Sequence, residues 1–388
     1  MKILFVHNTA MPYRLPFFKK VSEIYNVKFI FTRFERSFKR RGMSKSHKIG
    51  VLEDSCYDIL KNRFLFENII RLIPKLLKED YDVIVGSIDY IPPSAFLETL
   101  LCYIASKIKN KPIIFWSEEW GWPKHPLRRL ISPFINFVIR NCDAIVVPGG
   151  KHKEYLISLG ALPDKVFIMP NVTNLSPKQE DYIRRDKFRM ALGLKNKKVV
   201  LYVGQLRRLK GIHYLISAFA KLKDEIKDVV LIIIGTGKYK KELLKYCKML
   251  NLSKNDVYFL GFVKNEELGA YYLLSNVFVI PSIFHRGFAD ACPLVVNEAI
   301  YFGKPVIATD AVGAAFDMIK DGENGFMVPE KDSEALYEAM KKILSDPELE
   351  KRMGEESKRI IEEGFRYEHM IEGFKDAIKC VSKKGVKK

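Results

Sequence analysis

The residues best suited to chemistry lie in one segment of the sequence, Pro281–Asp310. A buried strand is predicted to end just before this segment, and a helix is predicted to begin at Pro293, whose missing N–H costs nothing in a first turn. The free N–H groups of Leu294 and Val295 would then point out of the helix start, in a place suited to a phosphate. Glu298 follows about one turn later, where its carboxylate suits the hydroxyls of a ribose.

A surface helix with no ligand is the alternative explanation of the same pattern. In that case Asp290 or Asn297 would cap the helix, and the segment would have only a structural role. Spacing does not decide between the two explanations, so both stay open.

The fold that must position these residues is predicted by an alternation of short apolar runs and helical patterns. The first half contains predicted strands at Ile3–Val6, Lys28–Phe31, Val83–Val85, Ile113–Trp116 and Ala144–Val147, with helical patterns such as Asn62–Lys78 and Ser94–Lys109 between them. The second half contains predicted strands at Lys198–Val203, Val229–Ile234, Val257–Leu260, Val277–Ile280, Pro305–Ala308 and Phe326–Val328. Such alternation is typical of right-handed βαβ units and of parallel sheets covered on both faces.

The pattern restarts after a stretch rich in Pro and Asn, Met169–Pro177, which we take as a linker. We therefore expect an α/β protein with two doubly wound, Rossmann-like domains that face a cleft. Residues 1–172 would form the first domain and residues 173–364 the second. Residues 365–388 would form a helix that crosses back to the N-terminal domain, followed by a basic tail. Ligands of such sheets bind at the carboxyl ends of the strands.

Composition narrows the class of protein without identifying it. The 388 residues include 65 Lys and Arg against 46 Asp and Glu, a formal charge of +19 that indicates anionic partners. No apolar run approaches the ~18 residues that a membrane-spanning helix requires. The six cysteines form no C-x-x-C pair and the histidines show no ligand spacing, so we expect reduced cytosolic thiols and no metal site.

The run Leu294–Ala299, followed by Gly303–Thr309, resembles the signature of the retaining GT-B glycosyltransferases of family 4. In that family, two glutamates eight positions apart face the donor sugar and the ribose. The second matches Glu298, whereas the first position holds Asp290, which is one methylene shorter.

A second segment, Tyr202–Ile212, resembles the strand, loop and helix whose basic residues neutralise the donor diphosphate in this family. Lys210 matches the family lysine. Gln205 stands where the family often has an arginine, so we expect Arg207 or Arg208 to supply the second charge. Fixed cations there would stabilise the departing diphosphate.

Two further segments resemble nucleotide-contacting parts of the same family, a G-x-G loop at Ile234–Lys238 and a base-lining segment at Gly261–Val263. The resemblance implies catalytic roles for Asp290, Glu298, Lys210 and Arg207. It implies donor binding by Gly204, Arg208, Gly235, Gly237, Phe262, Val263, Leu294, Val295 and Glu298.

The activity implied by the resemblance is transfer of a hexosyl-type unit from a nucleotide-diphosphate sugar to a saccharide or lipid-linked acceptor, with retention of anomeric configuration. The leaving phosphate would take the acceptor's proton on the same face, so neither a covalent nucleophile nor a cofactor or metal is expected. The resemblance also implies that residues 1–172 bind the acceptor and residues 173–364 the nucleotide sugar. Glycan, polysaccharide or glycolipid biosynthesis is the implied setting.

In the N-terminal half, two loops that follow predicted strands are expected to contact the acceptor. They are His7–Pro16 and Trp116–Pro123, and their candidate residues are Pro12, Tyr13, Arg14, Glu118, Glu119 and Trp120. Aromatic rings beside carboxylates suit the C–H faces and hydroxyls of a sugar. A helix-capping acid and buried tryptophans would explain the same residues without any ligand.

Basic residues mixed with aromatic ones also indicate contact with an anionic membrane surface. They concentrate in Thr32–Gly50 and His125–Arg140. We expect a cytoplasmic protein, peripheral on the membrane face, although packing of the second segment against the sheet explains it equally well.

Other classes of protein stay as alternatives. A GT-B relative such as a nucleotide-sugar epimerase, a phosphorylase or a glycogen-type synthase is one, but no segment resembles the pyridoxal-lysine site that a phosphorylase needs. A basic nucleic-acid-binding protein is another, but no recognition helix or RNA-binding aromatic pattern is present, so no specific nucleic acid is expected. A dehydrogenase is disfavoured because Lys240 occupies the third glycine's position.

Overall fold

The computed structural model describes residues 1–33, 52–60, 67–88, 93–120, 126–285 and 288–385. The chain divides into two compact units. The first, unit 1, takes in the described residues up to Asn174 and those from Arg366 onward. The second, unit 2, runs from Leu175 to Phe365.

Strands and helices alternate along most of the described chain, and three consecutive helices follow the last strand. The strands are β1 (Lys2–His7), β2 (Asn26–Phe31), β3 (Tyr57–Ile59), β4 (Val83–Ser87), β5 (Ile113–Trp116), β6 (Ala144–Val147), β7 (Val166–Ile168), β8 (Lys198–Val203), β9 (Val229–Ile234), β10 (Val257–Gly261), β11 (Val277–Ile280), β12 (Val306–Thr309) and β13 (Gly325–Val328). The α-helices are α1 (Leu15–Ile24), α2 (Glu67–Lys78), α3 (Pro93–Ile108), α4 (Pro126–Asn141), α5 (Gly150–Ser158), α6 (Gln179–Ala191), α7 (Ile212–Glu225), α8 (Lys240–Met249), α9 (Asn265–Leu274), α10 (Leu294–Tyr301), α11 (Ala315–Met318), α12 (Ser333–Ser345), α13 (Pro347–Gly364) and α14 (Tyr367–Gly385).

Unit 1 is built on a seven-stranded parallel sheet in the order β3-β2-β1-β4-β5-β6-β7. Alternate residues of β1 enter opposite cores, because successive side chains of a strand point to opposite faces. Ile3 and Phe5 face the core that α1 and α14 cover. Leu4 and Val6 face the core that α2 to α5 cover. The unit is therefore a three-layer α/β structure with a hydrophobic core on each side of the sheet.

Helix α14 completes the first of these cores, as the sequence predicted for a C-terminal helix that returns to the N-terminal domain. The Phe374 ring stacks on the Phe5 ring with 5.9 Å between centroids. A Cβ on Gly373 would lie 2.0 Å from the Ile168 carbonyl oxygen, so only glycine lets the helix approach β7 this closely. Burial of a side chain such as Phe374 contributes about 1.5–3 kcal/mol to stability.

The two outermost strands of this sheet, β3 and β7, were not predicted. Each has only three residues, which is too few for a hydrophobic period to distinguish a strand from a loop. The five predicted strands of this half are all present. The predicted helix at Asn62–Lys78 begins at Glu67 in the described part of the chain, and residues 62–66 lie outside it.

Unit 2 contains a six-stranded parallel sheet in the order β10-β9-β8-β11-β12-β13. Strand β8 again divides its residues between two cores: Val200 and Tyr202 face one, and Val199 and Leu201 face the other. The order reverses between β8 and β11, the place where open parallel sheets bind ligands at their carboxyl edge. All six predicted strands are present, and β12 is shifted by one residue.

Within the described residues, no helix combines the length and apolar composition that crossing a bilayer requires.

Candidate functional site

Two loops of unit 2 meet where the strand order reverses. One follows β8 and the other follows β11, and the Ile283 N–H donates to the Leu209 carbonyl at 2.8 Å. Gly211 has a φ of +60°, and a Cβ there would lie 1.8 Å from the Pro281 carbonyl oxygen. Both the left-handed backbone and the close approach require glycine. The loops are thus packed backbone on backbone and hold their side chains in fixed positions.

Lys210 and Asp290, one from each loop, form an ion pair between Nζ and Oδ2. The same carboxylate oxygen accepts a hydrogen bond from Ser282 Oγ at 2.7 Å. The Asp290 backbone is also fixed, because its N–H donates to the Ala311 carbonyl at 3.2 Å and its carbonyl accepts from the Gly313 N–H at 3.0 Å. The positive charge of Lys210 is therefore balanced by a carboxylate that cannot easily move away.

Helix α10 begins beside this pair. Pro293 is its N-cap residue rather than its first helical residue, because the ψ of Pro293 is 113°, outside the helical range. The prediction that the helix starts at Pro293 was one residue early. The N–H groups of Leu294 and Val295 open the helix, where the backbone ladder offers them no carbonyl.

The capping by Asp290 or Asn297 that the alternative explanation requires is not found. No side chain caps the start of α10 within the described structure, and the Asp290 carboxylate binds Lys210 and Ser282 instead. Asn297 is buried inside the helix.

A buried tyrosine of α9 fixes the position of the Glu298 side chain. The Tyr272 hydroxyl donates to Glu298 Oε2 at 2.7 Å. Tyr272 is fully buried between the rings of Phe278 and Phe302, whose centroids lie 5.7 and 5.4 Å from its own. Burial, and then the charge of Glu298, raise the pKa of the Tyr272 phenol well above its usual value. The phenol thus stays protonated and remains a hydrogen-bond donor to this carboxylate.

Glycines bring the loops after β8 and β9 into direct backbone contact. A Cβ on Gly235 would lie 1.9 Å from the Gly204 carbonyl oxygen, and a Cβ on Gly237 would lie 2.2 Å from the Leu206 carbonyl oxygen. The Leu206 N–H donates to the Thr236 carbonyl at 2.9 Å. Gly204, Gly235 and Gly237 therefore allow these two loops to pack directly against each other.

The remaining residues predicted for the donor site are more exposed. Arg207 and Arg208 are exposed, and within the described residues no carboxylate pairs with either. The Phe262 side chain is 74% exposed, whereas Val263 is half-buried. The two arginines are thus the available cations beside the balanced Lys210.

Unit 1 has its own cavity, of about 220 Å³, where its strand order reverses. Three neighbouring strands, β1, β4 and β5, end at this cavity. It is lined by His7, Asn8, Arg14, Ser87, Ile88, Trp116, Glu118 and Glu119.

Arg14 organises the cavity wall. Its guanidinium is buried, donates to His7 Nε2 at 2.6 Å and to Glu118 Oε1 at 2.5 Å, and lies 4.5 Å from the centre of the Trp116 ring. Asn171 Nδ2 donates to the same Glu118 oxygen at 2.8 Å. The arginine joins residues from two loops into one rigid wall.

His7 is neutral in this arrangement. Arg14 can only donate, so His7 Nε2 accepts and the imidazole proton lies on Nδ1, which is 3.1 Å from the Thr9 carbonyl oxygen. Burial, followed by the charges of Arg14 and Arg33, lowers the pKa of His7 well below its usual value.

Two polar atoms at the cavity have no partner among the described residues. They are the Nε1 donor of Trp116, a residue only 3% exposed, and the Oδ1 acceptor of Asn8. A buried polar atom left unpaired costs about 1–3 kcal/mol. A ligand with both donors and acceptors, such as a hydroxylated ring, would relieve this cost.

The structure brings together half of the residues predicted for the acceptor. Arg14, Glu118 and Glu119 line the cavity. Pro12, Tyr13 and Trp120 do not. Pro12 and Tyr13 lie in the 3-10 turn Pro12–Arg14 ahead of α1, and the Trp120 ring tilts toward His152 at 6.5 Å.

Sequence reasoning missed Ser87 and Ile88, although both follow a predicted strand. Their position at the end of β4 could have identified them, because β4 lies beside β1 in the sheet and both strands end at the same edge.

Among the described residues, no group of three His, Cys, Asp or Glu side chains is arranged to hold a metal ion. That the protein uses no cofactor and requires no metal stays a prediction.

Comparison with known proteins agrees with this architecture. Residues 184–360 match the family described as Glycosyl transferases group 1. O-antigen chain mannosyltransferase C of Escherichia coli is 25% identical over 85% of this chain and 83% of that protein. Spore coat protein SA of Bacillus subtilis is 32% identical over 48% of this chain. That match spans half of the spore coat protein's length.

A solved structure of Anabaena HepE in complex with UDP superposes with a TM-score of 0.74. It covers 98% of this chain and 100% of HepE at 17% identity, a level that shows the fold alone. The comparisons therefore identify the protein as a glycosyltransferase: residues 184–360, somewhat under half of the chain, match the glycosyl transferases group 1 family, and the two units have the GT-B fold.

Proposed function

We propose that this glycosyltransferase moves a hexosyl-type unit from a nucleotide-diphosphate sugar to a saccharide or lipid-linked acceptor, with retention of anomeric configuration. The observation that carries the proposal is the grouping of Lys210, the start of α10 and Glu298 at the reversal point of the unit 2 sheet. A cation from the loop after β8, a helix N-terminus and a carboxylate one turn into that helix match the diphosphate and the ribose of one nucleotide.

The diphosphate would be bound by the N–H groups of Leu294 and Val295, because a helix start carries partial positive charge and unpaired donors. Lys210, with Arg207 or Arg208, would stabilise the charge that develops on the diphosphate as the glycosidic bond breaks. Glu298 would accept hydrogen bonds from the ribose hydroxyls.

Asp290 has a more specific place in this proposal. Its carboxylate is engaged by Lys210 and Ser282, so it would orient the lysine toward the diphosphate as well as face the donor sugar. The Asp290 side chain is one methylene shorter than that of Glu, and it already contacts Lys210 and Ser282. This geometry favours the role of orienting the lysine.

The acceptor would enter the cavity of unit 1. The Arg14–Glu118 pair, the Trp116 ring and the unpaired atoms of Trp116 and Asn8 support a saccharide there. Proton transfer would use the leaving phosphate, so no cofactor and no metal belong to this mechanism. Attachment at the cytoplasmic face of the membrane belongs to the same proposal, since a lipid-linked acceptor is reached from the bilayer surface.

The test is a thermal-shift series with UDP-, GDP-, ADP- and CMP-linked sugars. UDP-sugars come first because HepE was solved with UDP. A ligand at 100 times its Kd stabilises the folded protein by about 2.7 kcal/mol. A shift with one nucleotide class supports the donor site, and no shift with any class overturns it.

Two variants then test the residue roles. Glu298→Gln and Lys210→Ala are expected to abolish transfer of the sugar while the melting temperature of the free protein changes little. Anomeric analysis of the product by NMR tests retention. Wild-type turnover in either variant, or an inverted product, contradicts the proposal.

A further inference from the structure

One helix of unit 1 carries two apolar faces, and only one of them is buried. Helix α2 turns its first apolar line, Ile69, Leu72 and Leu76, into the core. A second line, about 100° away around the helix, is Ile70, Ile73 and Leu77. We call this second line the apolar stripe. Its side chains are 69%, 40% and 47% exposed.

The neighbouring helices of the same layer also expose large apolar side chains. Helices α2 and α3 pack side by side, and α3 and α4 are joined by the Tyr103–Phe137 ring contact at 5.8 Å. The exposed apolar residues on α3 and α4 are Ile104, Ile108, Leu130 and Phe137. On the opposite layer, α1 and α14 expose one large apolar side chain among the described residues, Ile24. Among these helices of unit 1, the exposed apolar side chains are therefore concentrated on one side of the sheet.

The same layer is basic. Helices α2 to α4 contain seven basic residues, Arg71, Lys75, Lys78, Lys107, Arg128, Arg129 and Arg140, against two acidic ones, Glu67 and Glu98. Glu98 is buried and does not reach the surface. Arg71 and Lys75 are paired, with Glu67 at 2.8 Å and Asp58 at 2.7 Å. Lys78 and Arg129 form no ion pair within the described residues.

The basic charge of this layer indicates which partner its surface binds. In a symmetric dimer the same patch meets itself, so these basic helices would face their own copies and repel. An anionic bilayer suits both the apolar and the basic residues of this layer, because its acyl boundary accepts the apolar side chains and its headgroups attract Lys and Arg. The formal charge of +19 on the whole chain favours the same surface.

We infer that the α2–α4 layer, with the apolar stripe at its edge, is the surface by which unit 1 binds an anionic membrane. This inference rests on the membrane attachment in the proposed function and deepens it, because it assigns the surface of unit 1 that would bind the lipid.

The test is co-sedimentation of the full chain with vesicles of phosphatidylcholine alone or mixed with phosphatidylglycerol. The stripe variant carries Ile70→Ser, Ile73→Ser and Leu77→Ser. The matched control carries Ile24→Ser, Leu162→Ser and Ile168→Ser, three comparably exposed apolar residues of unit 1 outside the layer. Circular dichroism melts check that both variants fold.

The expected result is binding to the anionic vesicles that weakens with salt, at least tenfold weaker partition for the stripe variant, and unchanged partition for the control. Lys78→Glu with Arg129→Glu is expected to weaken binding to anionic vesicles only. Equal partition of the stripe variant and wild type, or no wild-type binding to either vesicle, overturns the inference. The inference is also overturned if light scattering shows a dimer for the wild type and a monomer for the stripe variant, since the surface would then bind a second copy.

Nucleotide binding by thermal shift separates this inference from the proposed function. The stripe variant should bind nucleotide as wild type does, and loss of vesicle binding with nucleotide binding intact assigns the effect to the surface alone.

Discussion

The Tyr272 hydroxyl donates a hydrogen bond to Glu298 Oε2 at 2.7 Å, and the ring that carries it is fully buried. A glutamate side chain on a short helix has three rotatable bonds, and this contact removes most of that freedom. Tyr272 is therefore a positioning residue for the carboxylate that we assign to the ribose.

Tyr272→Phe removes this hydrogen bond while keeping the ring. We expect the affinity for a nucleoside diphosphate to fall about fivefold to tenfold, because hydrogen bonds to charged groups contribute about 1.5–3 kcal/mol and part of this is lost from stability instead. Calorimetric titration with the nucleotide found by the panel measures the change.

The control for this variant is a 2′,3′-dideoxy nucleotide, which lacks the hydroxyls that Glu298 would bind. Its affinity for wild type and for Tyr272→Phe should be equal. If the variant weakens both nucleotides alike, the tyrosine acts on the fold and not through the ribose contact.

Asp290→Asn tests whether Asp290 orients Lys210 or contacts the donor directly. The substitution leaves the Lys210 charge unbalanced, so we expect a free nucleoside diphosphate to bind about tenfold more tightly and with a steeper salt dependence. Titrations at two salt concentrations check this. Asp310→Asn is the matched control, since it removes the same charge from an exposed residue of the next strand's loop. Weaker binding in Asp290→Asn would show that Asp290 acts on the ligand directly.

Gly237→Ala tests the backbone contact between the loops after β8 and β9. A Cβ there would lie 2.2 Å from the Leu206 carbonyl oxygen, so the loops must separate. We expect a loss of about 1–3 kcal/mol in the free energy of unfolding, together with weaker nucleotide binding. Denaturant titration measures the first effect. Gly364→Ala meets no atom within 4 Å and should leave both quantities unchanged or slightly improved.

His7 gives a pH dependence with a defined sign. Its pKa is lowered in the folded state, so below pH ~6.5 the unfolded chain binds a proton that the folded chain refuses. The free energy of unfolding should therefore fall as the pH decreases from 7, by up to about 1.4 kcal/mol per pH unit from this group. His7→Gln keeps an acceptor for Arg14 and cannot titrate. The difference between the two proteins' melts from pH 7 to pH 5 should show this slope, and a flat difference would contradict the buried neutral histidine.

The parallel sheets were predictable because their strands are continuous apolar runs, as in Val229–Ile234, which is buried along its whole length. The short edge strands β3 and β7 were not, since three residues carry no period. Tyr272 was also invisible to sequence reasoning. Its role depends on a contact between α9 and α10, and no local pattern encodes which helices pack together.

The cavity of unit 1 shows the same limit. Arg14 and Glu118 were found because each follows a predicted strand, but their pairing depends on β1 and β5 ending at one edge with β4 between them. Strand order is a property of the whole sheet, and a single strand's sequence does not state it. The Lys210–Asp290 ion pair was missed for a similar reason, because it joins loops 80 residues apart.

Unit 1 is assembled from two separated parts of the chain, since α14 packs against strands that end before Asn174. During synthesis the first part leaves the ribosome with one face of its sheet covered by α1 alone, and the area that α14 covers stays open while all of unit 2 is made. Unit 2 is one continuous segment, so its folding does not depend on a part of the chain that is made much later. The order of synthesis thus predicts that unit 2 reaches its native state first and that a nascent chain lacking Met370 to Val381 presents an apolar sheet face to chaperones.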